Sequence, residues 1–132
     1  MDTFNQQVKN TAVRYIVKDV DSAVNFYTNL LGFHINQHVK SAFASLSLGD
    51  LTLFINQPGA GGAGQSMPDG AVPAPGGWNR FHIEVKNLEH TVASLKEKGA
   101  KFRNDIITGV GGKQILLQDP SGNLIELFQS GS

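Results

Sequence analysis

Cysteine is absent from the 132 residues of this chain. Its absence excludes disulfide bonds, thiolate metal ligands and cysteine nucleophiles, and it favours an intracellular protein. Long apolar runs are absent too, because none approaches the roughly 20 residues that a membrane helix needs. The N-terminus, MDTFNQQVKN, lacks the apolar core of a signal peptide. We therefore expect a cytoplasmic protein with no membrane partner.

The chain also lacks net charge, because eleven basic residues are matched by eleven acidic ones. A neutral chain creates no field that attracts nucleic acid, so we expect no nucleic acid partner. It contains neither a G-x-S-x-G nucleophile elbow nor a Walker phosphate loop. With 40% apolar residues, the chain can bury one ordinary core, and we expect a single domain over residues 1–132.

What the chain does contain is an internal repeat. The segment Val13–Gly32 reads VRYIVKDVDSAVNFYTNLLG, and Arg80–Gly99 reads RFHIEVKNLEHTVASLKEKG. In both segments an alternating run typical of a strand leads through a lysine to a helix-capping residue, Asp19 or Asn87. An amphipathic helical pattern follows, and it ends at a glycine that can adopt the left-handed conformation. The sequence therefore indicates two copies of one module.

Each module is predicted to contain one strand, one helix and three further strands. Module one covers about 11–57 and module two about 78–129. The predicted strands are 11–17, 33–40, 41–48 and 51–57 in module one, and 80–86, 100–107, 113–118 and 123–129 in module two. The predicted fold class is α+β, with tandem βαβββ modules.

A glycine- and proline-rich loop separates the modules. Residues 58–77 contain seven glycines and four prolines, so this segment cannot build a core element and is interpreted as a linker, a lid or both. Within it, Gly59–Gly64 matches the G-x-G-x-x-G dinucleotide pattern. The residues that follow break helices, whereas a dinucleotide loop must open into one, so the match is interpreted as coincidence.

Two longer motifs carry a resemblance to a known family. The sequence FYTNLLG at 26–32 matches an FY-x-x-x-LG pattern, and DPSGNLIEL at 119–127 matches DP-x-GN-x-IEL. The chain therefore resembles the vicinal oxygen chelate superfamily, which includes glyoxalase I, extradiol dioxygenases, fosfomycin-resistance enzymes and bleomycin-binding proteins. The resemblance covers about 11–129 and implies that the two sheets form a cup. In that superfamily the cup holds a small molecule and, in the enzymes, a divalent metal, often within a homodimer.

The resemblance also assigns four positions to metal ligands, and this chain departs from the family at three of them. The first-strand positions carry Ala12 and Arg80, and the last-strand position of module one carries Leu53 or Phe54, depending on the alignment. Only Glu126 matches a family ligand. One carboxylate is too few for a metal site, so a divalent metal, although possible, is disfavoured, and we expect no cofactor.

Histidines could replace the missing ligands. His34 and His38 are four residues apart on a predicted strand, about 13 Å, which is too far for one ion. His82 is a better candidate, because Arg80, His82 and Glu84 share a strand face that, by analogy, looks into the cup. Two interpretations remain open: a buried histidine hydrogen-bonded beside two charges, or a catalytic base or metal ligand.

Arg80 supplies a permanent cation that could hold a carboxylate or a phosphate. An aromatic side chain near it could supply the apolar contact that small-molecule sites require, although packing at the root of the loop would explain Trp78 equally well. The candidate ligand-binding residues are Arg80, Arg14, Trp78, Phe54, Glu84 and Phe128.

The leading hypothesis is a metal-independent small-molecule binding protein with a cup that holds ligand between Arg80 and Glu126. The alternative is an enzyme with an altered centre, either a glyoxalase-like lyase or isomerase or a dioxygenase-type catalyst, with Glu126 or His82 as acid and base. A third possibility is a structural dimer with a vestigial cup. Under any of them, the resemblance places Arg80 and Glu126 close enough to form a partly buried ion pair.

Overall fold

The computed structural model describes residues 3–131, which contain nine strands and three α-helices. In chain order these are α1 (Phe4–Gln7), β1 (Val13–Ile16), α2 (Val20–Asn25), β2 (His34–Val39), β3 (Phe43–Leu48), β4 (Leu51–Asn56), β5 (Arg80–Glu84), α3 (Leu88–Glu97), β6 (Lys101–Phe102), β7 (Ile107–Thr108), β8 (Gly112–Gln118) and β9 (Leu124–Ser130). The strands form two sheets, ordered β1-β4-β3-β2 and β5-β9-β8-β6, with β7 paired to β8. The predicted α+β class is confirmed. None of the described helices is long and apolar enough to cross a membrane.

The two sheets repeat one strand order, as the internal repeat predicts. In each module the first strand pairs in parallel with the last one, and the remaining pairings are antiparallel. The Asp19 side chain accepts hydrogen bonds from the first turn of α2, and Asn87 does the same for α3. Gly32 and Gly99 have φ angles of 75° and 89°, which glycine adopts at little cost. The predicted caps and stops are therefore confirmed.

The helix of module one differs from the single α-helix that the spacing predicts, because Phe26–Leu30 forms a π-helical turn. The Thr28 hydroxyl donates to the Val24 carbonyl at 2.7 Å, and that carbonyl is the one an α-helical turn would offer to the Thr28 amide. Phe26 and Tyr27 are both buried in this turn, with their rings 5.0 Å apart. The Thr28 hydroxyl therefore gives the Val24 carbonyl a side-chain partner within the wider turn.

The predicted strand at 100–107 is also interrupted. Of this predicted strand, only the short strands β6 and β7 form, and each pairs with β8. Between them Asn104 Oδ1 accepts the hydrogen bond of the Leu116 amide at 3.1 Å, in place of a backbone carbonyl. The Arg103 amide donates to the Leu116 carbonyl at 2.9 Å. The segment between β6 and β7 therefore remains hydrogen-bonded to Leu116 without forming a regular strand.

Tyr15 joins the two modules at the edges of their sheets. Its hydroxyl accepts from the Phe81 amide at 3.1 Å and donates to the Leu124 carbonyl at 2.6 Å. Burial raises the pKa of Tyr15 to about 12, so the hydroxyl stays protonated and can donate. Tyr15 and Phe81 belong to one buried core shared with the helices. Both sheets turn one face to that core, and we call the opposite face of each sheet its cup face.

The loop at 58–77 contains turns and no helix or strand. The Gly64 amide donates to the Ala60 carbonyl at 3.1 Å, and the Gly76 amide donates to Asn123 Oδ1 at 2.8 Å. No helix follows Gly64, as expected for a coincidental match to the dinucleotide pattern. A Cβ at Gly64 would lie 2.1 Å from the Gln57 carbonyl oxygen, so this residue has to be glycine for the turn to close.

Candidate functional site

Glu126 is the centre of a charged cluster on the cup face of the second sheet. It lies on β9, in register with His82 on β5. Arg80 donates from Nε and Nη2 to Glu126 Oε1 at 3.0 and 2.9 Å. His82 Nδ1 lies 2.7 Å from Glu126 Oε2. The predicted ion pair between Arg80 and Glu126 is therefore present, and His82 is its third member.

The cluster is buried at the carboxylate and open at the histidine. The side chains of Glu126, Arg80 and His82 are 16%, 30% and 48% exposed. The prediction of a buried His82 is therefore wrong. Its ring packs against Phe128, with ring centroids 5.1 Å apart, and its other side faces solvent. His82 is nevertheless hydrogen-bonded beside charges, with Glu126 as the partner.

Gln114 on β8 is a fourth neighbour of this carboxylate. With its amide nitrogen oriented towards Glu126, that nitrogen lies 3.2 and 3.3 Å from the two carboxylate oxygens. Partial burial acts to raise the pKa of Glu126, but the hydrogen bonds from His82 and Arg80, together with the Arg80 charge, lower it below its ordinary value. Glu126 is therefore ionised at neutral pH, and both oxygens already accept hydrogen bonds from the protein.

The cup face of the first sheet carries Arg14, Phe54 and Asn56. Phe54 pairs with Arg14 as Glu126 pairs with His82, so Phe54, rather than the buried Leu53, occupies the module-one position that corresponds to Glu126. The Arg14 guanidinium lies 5.1 Å from the Phe54 ring centroid and also donates to the Asn56 side chain. Within residues 3–131, no hydrogen bond or ring contact joins this group to Arg80.

The four positions that the resemblance assigns to metal ligands do not fit a divalent ion. Ala12, Phe54 and Arg80 offer a methyl group, an aromatic ring and a protonated guanidinium, and none of these can donate a lone pair. Glu126 is the remaining donor, and Arg80 binds it. Across residues 3–131, no group of three or more His, Asp or Glu side chains could hold a metal.

A cavity of about 230 Å³ lies beside Arg80. It is lined by Trp78, Arg80, Arg103, Asn104, Ile107, Gln114, Ile115 and Leu116. The Arg103 guanidinium lies 4.3 Å from the Trp78 ring centroid. Trp78 is 62% exposed, so packing at the root of the loop does not explain it. The cavity therefore combines apolar walls, an accessible indole and two guanidinium groups.

The described surface also has four larger concavities, of about 370 to 500 Å³. The largest adjoins the cavity, because Arg103 and Asn104 line both. The one of about 450 Å³ lies on the helix side, between Phe26, Leu30 and Pro120. None of the four includes Arg80, His82 or Glu126 in its lining. Volume alone would place the binding site in one of these four concavities. The convergent charges of the Glu126 cluster beside an apolar cavity favour the cup instead.

Sequence reasoning missed Arg103 and Gln114. Gln114 could have been found, because alternation along 113–118 places it on the strand face opposite the buried Ile115. The sequence did not indicate a role for Arg103, because the pattern of 100–107 predicts one continuous strand. Among the predicted residues, Glu84 lies at the exposed end of β5 and makes no hydrogen bond to the Glu126 cluster. His34 and His38 are exposed strand residues, as expected.

Comparisons with known proteins agree with this fold. A sequence model described as the Glyoxalase/Bleomycin resistance protein/Dioxygenase superfamily matches residues 9–127. A lactoylglutathione lyase from Agrobacterium tumefaciens has a TM-score of 0.72 at 15% identity, with 92% of each chain covered. A hypothetical protein from S. aureus has a TM-score of 0.74 at 17% identity, covering 96% of this chain and 97% of that one. A glyoxalase/bleomycin resistance protein/dioxygenase from Nocardioides has a TM-score of 0.71 at 19% identity, covering 95% and 87%. At these identities the structural likeness shows the fold alone.

Proposed function

This chain belongs to the Glyoxalase/Bleomycin resistance protein/Dioxygenase superfamily, and we propose that it is a metal-independent small-molecule binding protein of that superfamily. The ligand is an anion held in the cup beside the Arg80–Glu126 pair. The observation that carries the proposal is the state of Glu126. Its carboxylate is bound by Arg80 and His82, so the protein itself supplies the positive charge that a metal would bring.

Arg80 keeps hydrogen-bonding capacity for a ligand. A guanidinium has five N–H donors. Nε and Nη2 each use one on Glu126, and Nη1 makes a long contact of 3.4 Å with the Trp78 carbonyl. Two N–H groups remain on a side chain that is 30% exposed and that lines the cavity. These groups suit a carboxylate that enters from the cup.

A thermal-shift assay with small carboxylates tests this function. A ligand present at 100 times its Kd stabilises the folded state by about 2.7 kcal/mol, a shift of several degrees for a chain of this size. We expect the shift in wild type and its loss in Arg80→Met. Lys96→Gln removes a cation that lies over Phe102 and does not line the cavity beside Arg80, and it should keep the shift. If no small carboxylate raises the Tm, the proposal fails and a vestigial cup explains the site better.

A second candidate function, an acid–base enzyme, is favoured by the contact between His82 and Glu126. A carboxylate 2.7 Å from Nδ1 fixes the orientation of the imidazole, and such a pairing is typical of histidine bases. His82 Nε2 makes no hydrogen bond to any residue in 3–131, and the side chain is 48% exposed. Turnover of a hemithioacetal or a catechol that is lost in His82→Gln would establish the enzyme.

A further inference from the structure

The cavity beside Arg80 defines the kind of anion more narrowly than the charges alone. We propose that it takes a planar, single-ring aromatic carboxylate, with the ring against Trp78 and the carboxylate between Arg103 and Arg80. This inference rests on the proposed binding function and specifies its ligand. Three independent features of the site carry it: the volume of the cavity, the placement of the free cation and the exposure of the indole.

The volume sets the size of the ligand. An apolar cavity of about 150 Å³ accommodates benzene, and the cavity here measures about 230 Å³. One ring with a carboxylate therefore fills it, and a larger ligand has to extend into the open cup. The walls that would contact the ring edge are aliphatic, from Ile107 and Leu116.

The charged side chains of the cavity wall determine the sign and the size of the net charge expected on the ligand. Arg80 is paired with Glu126, so these two side chains contribute little net charge. Arg103 forms no salt bridge with any residue in 3–131, and neither does the neighbouring Asp105. The cavity wall therefore carries one uncompensated cation, which matches a monoanion. A planar carboxylate also fits the fork of a guanidinium through two parallel hydrogen bonds.

The indole sets the shape of the ligand. Trp78 is 62% exposed, although burying a tryptophan ring is strongly favourable. Arg103 covers one face of the ring from 4.3 Å, and its backbone is fixed by the hydrogen bond of its amide to the Leu116 carbonyl. A flat ring at this site gains contact with the indole and leaves its substituent near the guanidinium. A compact aliphatic acid gains only the ionic part.

Trp78 is the single tryptophan of the chain, so selective excitation of tryptophan reports on this site alone. We would titrate wild-type protein with benzoate, benzamide, cyclohexanecarboxylate and acetate. Benzamide is a neutral match for benzoate, cyclohexanecarboxylate is a non-planar match, and acetate lacks the ring. We expect saturable fluorescence change with benzoate, and a Kd at least tenfold weaker for each of the other three, which corresponds to about 1.4 kcal/mol.

Arg103→Gln tests the cation directly, because this side chain is exposed and its loss leaves the fold intact. Benzoate and benzamide should bind this variant with similar, weak affinity. Lys96→Gln is the matched control. It also removes one positive charge and one cation–aromatic contact, 5.8 Å from the Phe102 ring, but it lies outside the cavity. Its preference for benzoate over benzamide should equal that of wild type.

The outcomes separate this inference from the function on which it rests. Suppose that acetate and benzoate bind with equal affinity, and that their binding is lost in Arg80→Met but unchanged in Arg103→Gln. The proposed anion-binding function would then stand, and the inferred aromatic ligand class would be wrong. If benzoate binds without changing tryptophan fluorescence, the ring is not at Trp78 and the inference also fails. If none of the carboxylates binds, both the inference and the proposed function are overturned.

Discussion

The ion pair between Arg80 and Glu126 can be measured with a double-mutant cycle of Arg80→Met and Glu126→Leu. Exposed ion pairs contribute roughly 0–1 kcal/mol, whereas breaking a fully buried pair costs roughly 3–5 kcal/mol. This pair lies between the two cases, because Glu126 is 16% exposed and Arg80 is 30% exposed. In Arg80→Met the carboxylate keeps the hydrogen bond from His82, which limits the loss.

We therefore expect Arg80→Met to lower the free energy of unfolding by about 2 kcal/mol, the scale of a hydrogen bond to a charged group. Glu126→Leu leaves the Arg80 guanidinium without its carboxylate, but Arg80 is 30% exposed, so a loss of about 1 kcal/mol is expected. The double mutant should be more stable than the sum of the single losses by at least about 1 kcal/mol. Urea unfolding followed by circular dichroism supplies the three differences, provided that the m-value stays constant.

The pH dependence gives an independent check with a defined sign. The pKa of Glu126 is lowered in the folded state, so its contribution to stability is fully present above the ordinary value of 4.5. That contribution decreases as the pH falls through the lowered pKa. The coupling between Arg80 and Glu126 should therefore be present at neutral pH and vanish in stronger acid.

The ion pair of Lys113 with Glu89 is a matched control in the same module. Glu89 is 58% exposed, and the pair lies outside the cup. Its cycle should show smaller coupling than the cycle of Arg80 and Glu126. If the losses of unfolding free energy in Arg80→Met and Glu126→Leu sum to the loss in the double mutant within about 0.3–0.5 kcal/mol, the argument is refuted. The two side chains would then be stabilised separately by water.

Three further predictions concern metal, assembly and the loop. Protein purified without chelator should carry far less than one nickel, zinc, iron or manganese per chain, and EDTA should leave its Tm unchanged, because only one of the four ligand positions supplies an oxygen. Near-stoichiometric metal by elemental analysis would contradict this prediction. All of β2 is exposed, including Ile35 and Val39 at 41% and 47%, so we expect a homodimer that covers such an edge. A monomer by light scattering at micromolar concentration would count against this prediction. Proteases should cut first between Gly59 and Pro75, where the chain forms turns without a helix or strand, and bound benzoate should slow the cut if the loop closes as a lid; resistance without ligand would show that the loop is a packed element.

Much of the fold could be predicted because its signals are local. The capping side chains of Asp19 and Asn87 and the glycines that end both helices act within a few residues of their own position. The alternation in β5 and β9 places Arg80 and Glu126 on one face, and the repeat aligns the strands that carry them. Local rules and the duplication therefore predicted the strands, whereas the ion pair was predicted from the resemblance, which assigns both positions to metal ligands.

What could not be predicted depends on contacts between distant residues. The strand at 100–107 breaks because the Asn104 side chain takes the Leu116 amide, and only the register of β8 reveals that partner. Arg103, whose guanidinium lies over the Trp78 ring, belongs to this interrupted segment. Burial of His82 was one of two interpretations left open by periodicity and analogy, and neither of these specifies how far the side chain is exposed to solvent. The hydrophobic periodicity of the sequence does not specify any of these long-range contacts.

Apart from Glu126, which belongs to the second motif and faces the cup, the two motifs that carry the resemblance act on the fold. Tyr27, from the first motif, donates to Asp119 of the second at 2.9 Å. Asp119 in turn accepts from the Asn123 amide at 2.9 Å, and the Asn123 side chain donates to the Ile16 carbonyl at 2.8 Å. These contacts join the modules on the buried side of the sheets. A chain can therefore keep both motifs while the ligand positions on the opposite face change, as Ala12, Phe54 and Arg80 have here. For this reason the motifs identify the superfamily, whereas the function has to be inferred from the residues that face the cup.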